Sequence, residues 1–268
     1  VKSTRSHHQL NRRFLNIKKQ ERSFIGKRSV TSGERIDVQV KVKPHPKFPA
    51  VFQVTLEEGS HRLATRNLTP GRQVYGERLV KYKGVEYRIW DAFRSKLAAA
   101  ILKGLQTLPI KPNARVLYLG AASGTTASHV SDVVGEKGHV YCVEFAARSL
   151  RDLINNVCAF RLNMTPFLED ARLPEKYATL IPEKVECVYC DVAQPEQAKI
   201  LADNADFLLK KPGWGMLAVK AQSIDVTKAP SEVYAREVSV LKKRGFTVDE
   251  TIMLEPYDKA HAMVVAHR

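Results

Sequence analysis

From residue 94 onward the sequence alternates short apolar runs with amphipathic stretches, and this alternation restricts the fold more than any other feature. Apolar runs lie near residues 115–120, 138–144, 164–169, 185–191, 214–221, 245–254 and 261–267, with helical periodicity between the first six. Just ahead of them Leu97, Ala98, Ile101, Leu102 and Leu105 recur at helical spacing. Strands separated by helices run parallel, because each right-handed crossover returns the chain to the same edge of the sheet. The link at residues 255–260 is too short to hold a crossover helix, so the last two strands must form an antiparallel pair. The expected architecture is an α/β, doubly wound, Rossmann-like sheet of seven strands with one reversed.

Before residue 92 the grammar is different. Ile36, Val38, Val40 and Val42 alternate with polar residues. Residues 51–56 and 61–66 flank Glu58-Gly59-Ser60, and residues 79–82 and 85–90 flank Lys83-Gly84. These are strand and hairpin signals. At 268 residues the chain has room for one full α/β domain and a smaller module. The expected division is a basic arm over residues 1–35, a small β-rich domain over 36–92 and the α/β domain over 93–268.

Charge narrows the choice of partners. The net charge is +15, and residues 1–47 carry 13 Lys/Arg against 3 Asp/Glu, a difference of +10 that leaves +5 for the remainder. Such a balance favours a polyanion as partner. The arm is expected to be flexible or ordered by a partner, and its adjacent His7 and His8 to be solvated.

Other classes lose support. No apolar run approaches the roughly 18–20 residues that span a bilayer, and no signal peptide is evident, so a soluble intracellular protein with no membrane partner is expected. Four scattered cysteines fit a reducing compartment. Cys187 and Cys190 form a C-x-x-C inside an apolar run with no second pair to complete a zinc site, so no metal is expected.

The first strand of the sheet runs into Gly120-Ala121-Ala122-Ser123-Gly124-Thr125-Thr126, which opens a helix. Small residues there let a ligand approach the backbone and meet helix N-terminal amides, although a plain tight turn has the same composition. The spacing is not G-x-G-x-x-G, which removes the dinucleotide fingerprint of dehydrogenases. The second strand ends at Glu144-Phe145, where a carboxylate is placed to accept from both ribose hydroxyls of an adenosine. The third ends at Asp170-Ala171, suited to an adenine amino group beside a small residue, and the fourth at Asp191-Val192-Ala193-Gln194. Each is weak alone, since Asp also caps helices. At successive carboxyl ends of a parallel sheet they reinforce one another as the tips of a methyl-donor site.

Several stretches resemble the fibrillarin family: Asn67-Leu68-Thr69-Pro70-Gly71, Val74-Tyr75-Gly76-Glu77, Arg94-Ser95-Lys96-Leu97-Ala98, YLGAASGTTASHVSD at residues 118–132, DVAQPEQAKI at 191–200, VKAQSIDVTK at 219–228 and LEPYDKAH at 254–261. The likeness covers roughly residues 48–267. It implies a methyltransferase fold behind a small β domain, S-adenosyl-L-methionine as cofactor, and ribose 2′-hydroxyls of rRNA, with tRNA as a further substrate, chosen by a box C/D guide RNA. It also implies a Nop-family scaffold protein and a kink-turn-binding protein as partners. Cofactor contacts carry over onto Thr125, Thr126, Glu144, Phe145, Asp170, Ala171, Asp191, Val192, Ala193 and Gln194, beside the loop residues Gly120, Ser123 and Gly124. Catalytic roles fall on Lys96, Asp191, Lys220 and His261. Many relatives read Trp-Asn-Pro where this chain has Trp90-Asp91-Ala92. With only 14 glycines it lacks a Gly/Arg-rich tail, so an archaeal-type, cytoplasmic protein is expected, nucleolar only in a eukaryote.

In this scheme Lys220 contacts the hydroxyl, a neutral fraction of its amine being favoured by Lys96 and the sulfonium and opposed by Asp191, while His261 orients substrate or relays the proton. A guide-independent RNA methyltransferase, a protein-glutamine methyltransferase and a non-catalytic assembly subunit share much of this sequence logic.

Overall fold

The computed structural model describes residues 40–268. The basic arm, His7, His8, Ile36 and Val38 lie outside the described residues.

Five short strands form an antiparallel sheet: β1 (Lys41–Pro44), β2 (Val51–Thr55), β3 (His61–Arg66), β4 (Leu79–Tyr82) and β5 (Val85–Trp90), in the order β1-β2-β3-β5-β4. Both hairpins turn on glycines at positive φ, Gly59 and Gly84, where a side chain would be strained. Ser95 then caps α1 (Lys96–Leu102), its hydroxyl accepting from the Ala98 N–H at 3.3 Å.

The second sheet has seven strands. The chain runs β6 (Arg115–Leu119), α2 (Thr125–Val134), β7 (His139–Glu144), α3 (Ala147–Asn156), β8 (Met164–Leu168), β9 (Val185–Cys190), α4 (Gln197–Leu208), β10 (Leu209–Lys220), α5 (Ala221–Ile224), α6 (Pro230–Lys243), β11 (Thr247–Met253) and β12 (His261–His267). The order across the sheet is β11-β12-β10-β9-β6-β7-β8. Only β12 is reversed: it pairs antiparallel with both β10 and β11. Its register sets His261 opposite Lys220. Because the order turns back between β6 and β9, the carboxyl ends of these two strands frame a crevice. No helix among the described residues is long and apolar enough to cross a membrane.

One expected crossover differs. Between β8 and β9 the chain makes only short 3₁₀ turns, at Pro174–Lys176 and Ala178–Leu180. Pro174 and Pro182 bracket this stretch, and a proline inside a helix removes a donor and clashes with the preceding turn. Strand β10 also begins at Leu209 rather than near residue 214, with its pairing to β9 shifted between Leu209 and Trp214.

Helix α2 is buried almost all round, including Ser128, His129, Ser131 and Asp132. A buried polar group needs a partner, and the small sheet provides several. Arg88 of β5, with no exposed surface, holds Glu77 at 2.6 Å and Asp132 at 2.8 Å and donates to Ser128 Oγ at 2.9 Å. Arg161 takes the other Asp132 oxygen at 2.5 Å, and Thr65 of β3 donates to Asp132 at 2.8 Å. Burial alone would raise the Glu77 carboxyl, but Arg88 and the Tyr75 N–H hold it below its ordinary range. The two sheets are thus joined through one desolvated ionic network. Cys187 packs on one face of β9 and Cys190 on the other, as strand alternation requires of residues three apart.

Candidate active site

The crevice begins at the turn after β6. Gly120 has φ +79°, and a Cβ on it would lie 2.7 Å from the Asp191 carbonyl oxygen. The tips of β6 and β9 therefore touch backbone to backbone, which only glycine allows. Gly124, at φ +94°, starts α2 and packs against Leu153 and Val157. The Glu144 carboxylate reaches across from β7: Oε2 accepts from the Ala122 N–H at 2.9 Å and Oε1 from the Ala146 N–H at 2.8 Å. Two backbone donors fix its orientation, and Phe145 beside it is 66% exposed. Gly120, Ala122, Glu144, Phe145, Ala171 and Val192 line one trough, which Asp191, Ala193, Gln194 and Lys220 extend toward β10.

At the end of that trough the charged side chains converge. Asp191 Oδ1 lies 2.9 Å from Lys220 Nζ and 3.2 Å from Lys96 Nζ. Lys220 Nζ also donates to the Asp191 carbonyl at 2.9 Å. The three side chains are between 14 and 18% exposed, so their charges are largely withdrawn from water yet reachable. Neither amine is aligned on Oδ1 as a hydrogen-bond donor, so these are charge contacts. Asp258, in the loop before β12, extends the group, 3.6 Å from Lys96 Nζ and 2.9 Å from His261 Nδ1. His261 Nδ1 also faces the Lys259 carbonyl at 2.7 Å. Both oxygens are acceptors, so a proton on Nδ1 is matched by either of them.

The chain that forms this crevice has close counterparts among known proteins. The sequence profile named Fibrillarin matches residues 42–268. The fibrillarin-like rRNA/tRNA 2′-O-methyltransferase of Pyrobaculum calidifontis is 57% identical over 230 residues, covering 85% of this chain and 98% of that protein. The chain belongs to the fibrillarin family. Among solved structures it is similar to Aeropyrum pernix fibrillarin with natively bound S-adenosyl-L-methionine, with a TM-score of 0.80 and 53% identity, covering 85% of this chain and 99% of that one. A fibrillarin in complex with Nop5p aligns with a TM-score of 0.72 and 39% identity, over 84% of this chain and 100% of the other.

Within this fibrillarin fold most of the sites expected from sequence come together. Lys96, Asp191, Lys220 and His261 form one cluster through Asp258. Gly120, Glu144, Phe145, Ala171 and the run from Asp191 to Gln194 line one trough. Asp170 departs from expectation. Its carboxylate is engaged by the Arg172 guanidinium, at 2.9 Å and 2.6 Å on Oδ2, and accepts the Arg172 N–H at 2.9 Å. Arg172 draws it into a local turn and lowers its pKa, while its neighbours Glu169 and Ala171 line the trough instead. Ser123, Gly124, Thr125 and Thr126 do not line the trough either. They act on the loop: Thr126, buried, donates to the Ser95 hydroxyl at 3.0 Å, and so ties the start of α2 to the cap of α1.

Two residues were not singled out by sequence reasoning. Asp258 joins Lys96 to His261, and Gln197 accepts the Lys220 N–H at 2.9 Å and anchors the end of β10. Both fall inside stretches that carry the family likeness, but nothing in a linear sequence pairs Asp258 with Lys96.

Proposed function

We propose that this chain methylates ribose 2′-hydroxyls of rRNA, and of tRNA as a further substrate, as the catalytic subunit of a box C/D guide-RNA particle containing a Nop-family scaffold and a kink-turn-binding protein. One observation carries the reading: Lys220 lines the trough of Glu144 and Phe145 and, at the same time, meets Asp191, which also holds Lys96.

The residues of the trough fit S-adenosyl-L-methionine. Glu144, held by two N–H donors, keeps lone pairs for ribose hydroxyls, Phe145 offers an aromatic face, and the Gly120 turn, seated on the Asp191 backbone, lines the trough beside them. When bound, the cofactor supplies an electrophilic methyl group on a sulfonium. The chain's own task is alignment, holding the 2′-oxygen in line with that methyl, and such positioning contributes up to about 7–11 kcal/mol in well-oriented systems.

Lys220 touches the hydroxyl and stabilises the oxygen as its proton leaves. Asp191 fixes the direction of the Lys220 amine through both its side chain and its carbonyl, and Lys96 neutralises the remaining charge on Asp191. His261, with Nδ1–H given to Asp258 and Lys259, presents Nε2 as a proton acceptor. The basic surface adds affinity for phosphates without sequence choice, and guide pairing supplies the choice.

The test is reconstitution with a guide RNA, the scaffold protein and the kink-turn-binding protein, scored for a single ribose methylation on the guided nucleotide. Methylation without guide RNA assigns the chain to a guide-independent activity. Absence of S-adenosylmethionine binding by calorimetry overturns the enzymatic reading altogether.

A further inference from the structure

A cavity of about 800 Å³ opens between the small sheet and the loop before β12. Its walls include Arg62, Arg78, Phe93, Arg94 and Tyr257. The three arginines are exposed, and Phe93 is 69% exposed. Phe93 meets Tyr257 edge-on with ring centroids 5.1 Å apart, and the Arg94 guanidinium lies 5.1 Å from the Tyr75 ring centroid.

The cations of this wall are unspent. Arg78 has one open contact, 3.5 Å to Glu58, between half-exposed side chains, where an ion pair contributes little. Arg62 and Arg94 have no carboxylate partner among the described residues. The carboxylates nearby are occupied: Glu77 is buried against Arg88, and Asp91 accepts the Phe93 N–H at 2.9 Å. Phe93 likewise gains little from folding in so exposed a place.

The cavity's wall adjoins the amine cluster along the chain. Arg94 precedes Lys96 by two residues on the approach to α1. Tyr257 adjoins Asp258, which holds Lys96 and His261. A strand lying along Arg94 and Tyr257 therefore meets residues directly joined in the chain to the segments that carry Lys96 and Asp258. Guanidinium forks match phosphate oxygens, and an exposed aromatic gives a sugar or base a surface to stack on.

Resting on the ribose-methylation reading of the cluster, we infer that this cavity is the track for the target RNA strand beside the reacting nucleotide. Arg62, Arg78 and Arg94 receive backbone phosphates, and Phe93, braced by Tyr257, packs against a neighbouring sugar or base.

Two measurements test it. In the first, a labelled RNA oligonucleotide is titrated with the full chain across a salt series. Arg62→Ala and Arg94→Ala each reduce the slope of log affinity against log salt by about one, and Phe93→Ala weakens binding about tenfold with the slope unchanged. In the second, the assembled particle is assayed, and all three variants raise KM for target RNA about tenfold while kcat and KM for S-adenosylmethionine stay within about twofold. Lys137→Ala, at the turn between α2 and β7, serves as the charge control and leaves KM unchanged. Unaltered slopes together with an unaltered RNA KM overturn the inference. Variants that keep RNA affinity but lose the scaffold protein on a native gel assign the cavity to a protein partner instead, which also overturns it. If the variants change RNA affinity and salt slope as stated yet the wild-type particle never methylates, the reading of the cluster fails while the cavity's role stands.

Discussion

Lys220 Nζ lies 2.9 Å from the Asp191 side chain and donates to the Asp191 backbone carbonyl at the same distance. One amine therefore fixes both the carboxylate and the peptide at the tip of β9. That tip is also where Gly120 makes its close approach, so the donor trough and the charged cluster share a single piece of backbone.

Lys220→Ala is expected to abolish detectable methyl transfer, a loss of at least about 10²–10⁴-fold if the amine acts in proton transfer. Donor binding should change far less, within about threefold, because Glu144 is oriented by the Ala122 and Ala146 N–H groups and not by that amine. Single-turnover methylation beside calorimetric S-adenosylmethionine binding reads both quantities. A Lys220→Ala protein that still methylates at a wild-type rate would remove Lys220 from the chemistry.

Gly120→Ala combines positive φ with a Cβ 2.7 Å from a backbone oxygen, whereas Gly135, at φ +72°, has nothing within 4 Å of an added Cβ. Backbone strain is common to both positions, about 1–3 kcal/mol, but only Gly120 must push β9 away. Thermal melts should show both variants destabilised. S-adenosylmethionine affinity should fall at least about tenfold for Gly120→Ala alone, and equal affinities in the two variants would deny the close approach its role.

Asp132→Ala removes the carboxylate shared by Arg88 and Arg161, all three side chains being at most 1% exposed. Removing one member of a desolvated ion network leaves charge uncompensated, a loss of about 3–5 kcal/mol. Urea denaturation should report this as a lower midpoint, and an effect under about 1 kcal/mol would show that water or rearrangement satisfies the arginines.

His129 makes stability depend on pH. It is fully buried, contacts Thr65 Oγ1 and the Tyr75 hydroxyl at 2.8 Å each, and stacks on Trp90. Burial, and then the charges of Arg88 and Arg161, push its pKa well below the ordinary histidine value. In the unfolded chain the imidazole takes a proton as pH falls through about 6.5, while the folded form resists it. The unfolded state then binds more protons, so stability is complete above about pH 6.5 and declines as pH drops toward the folded value. Denaturation midpoints of wild type and His129→Asn between pH 5 and 7.5 should diverge in slope, wild type being the steeper.

The order of the large sheet was legible because apolar runs and their spacing repeat at short range, and the six-residue link before His261 announced the reversal. The start of β10 was hidden by Lys210, Lys211 and Pro212, polar or strand-breaking residues that interrupt its pairing with β9 between Leu209 and Trp214. Between β8 and β9 the regular alternation of apolar runs predicts a helix, whereas Pro174 and Pro182 break the stretch into 3₁₀ turns. At the site, Glu144 and Asp191 were legible as carboxylates at strand tips. Asp170 stood at an equivalent place in the chain, yet an arginine two residues on captured it, a contact that strand-end logic does not weigh. The Arg88–Asp132–Arg161 network was illegible because its members lie 44 and 29 residues apart, and only the docking of the small sheet on α2 brings them together.

Strand β12 is latest in sequence but lies inside the sheet, between β10 and β11. During synthesis β11 thus emerges before β12, the one strand it pairs with among the described residues, and its hydrogen-bonding edge stays open until residues 261–267 follow. His261 arrives on that same segment, opposite Lys220. Closure of the sheet and arrival of His261 beside Asp258 are consequently one event, so a chain lacking residues 261–267 has neither the closed sheet nor that contact.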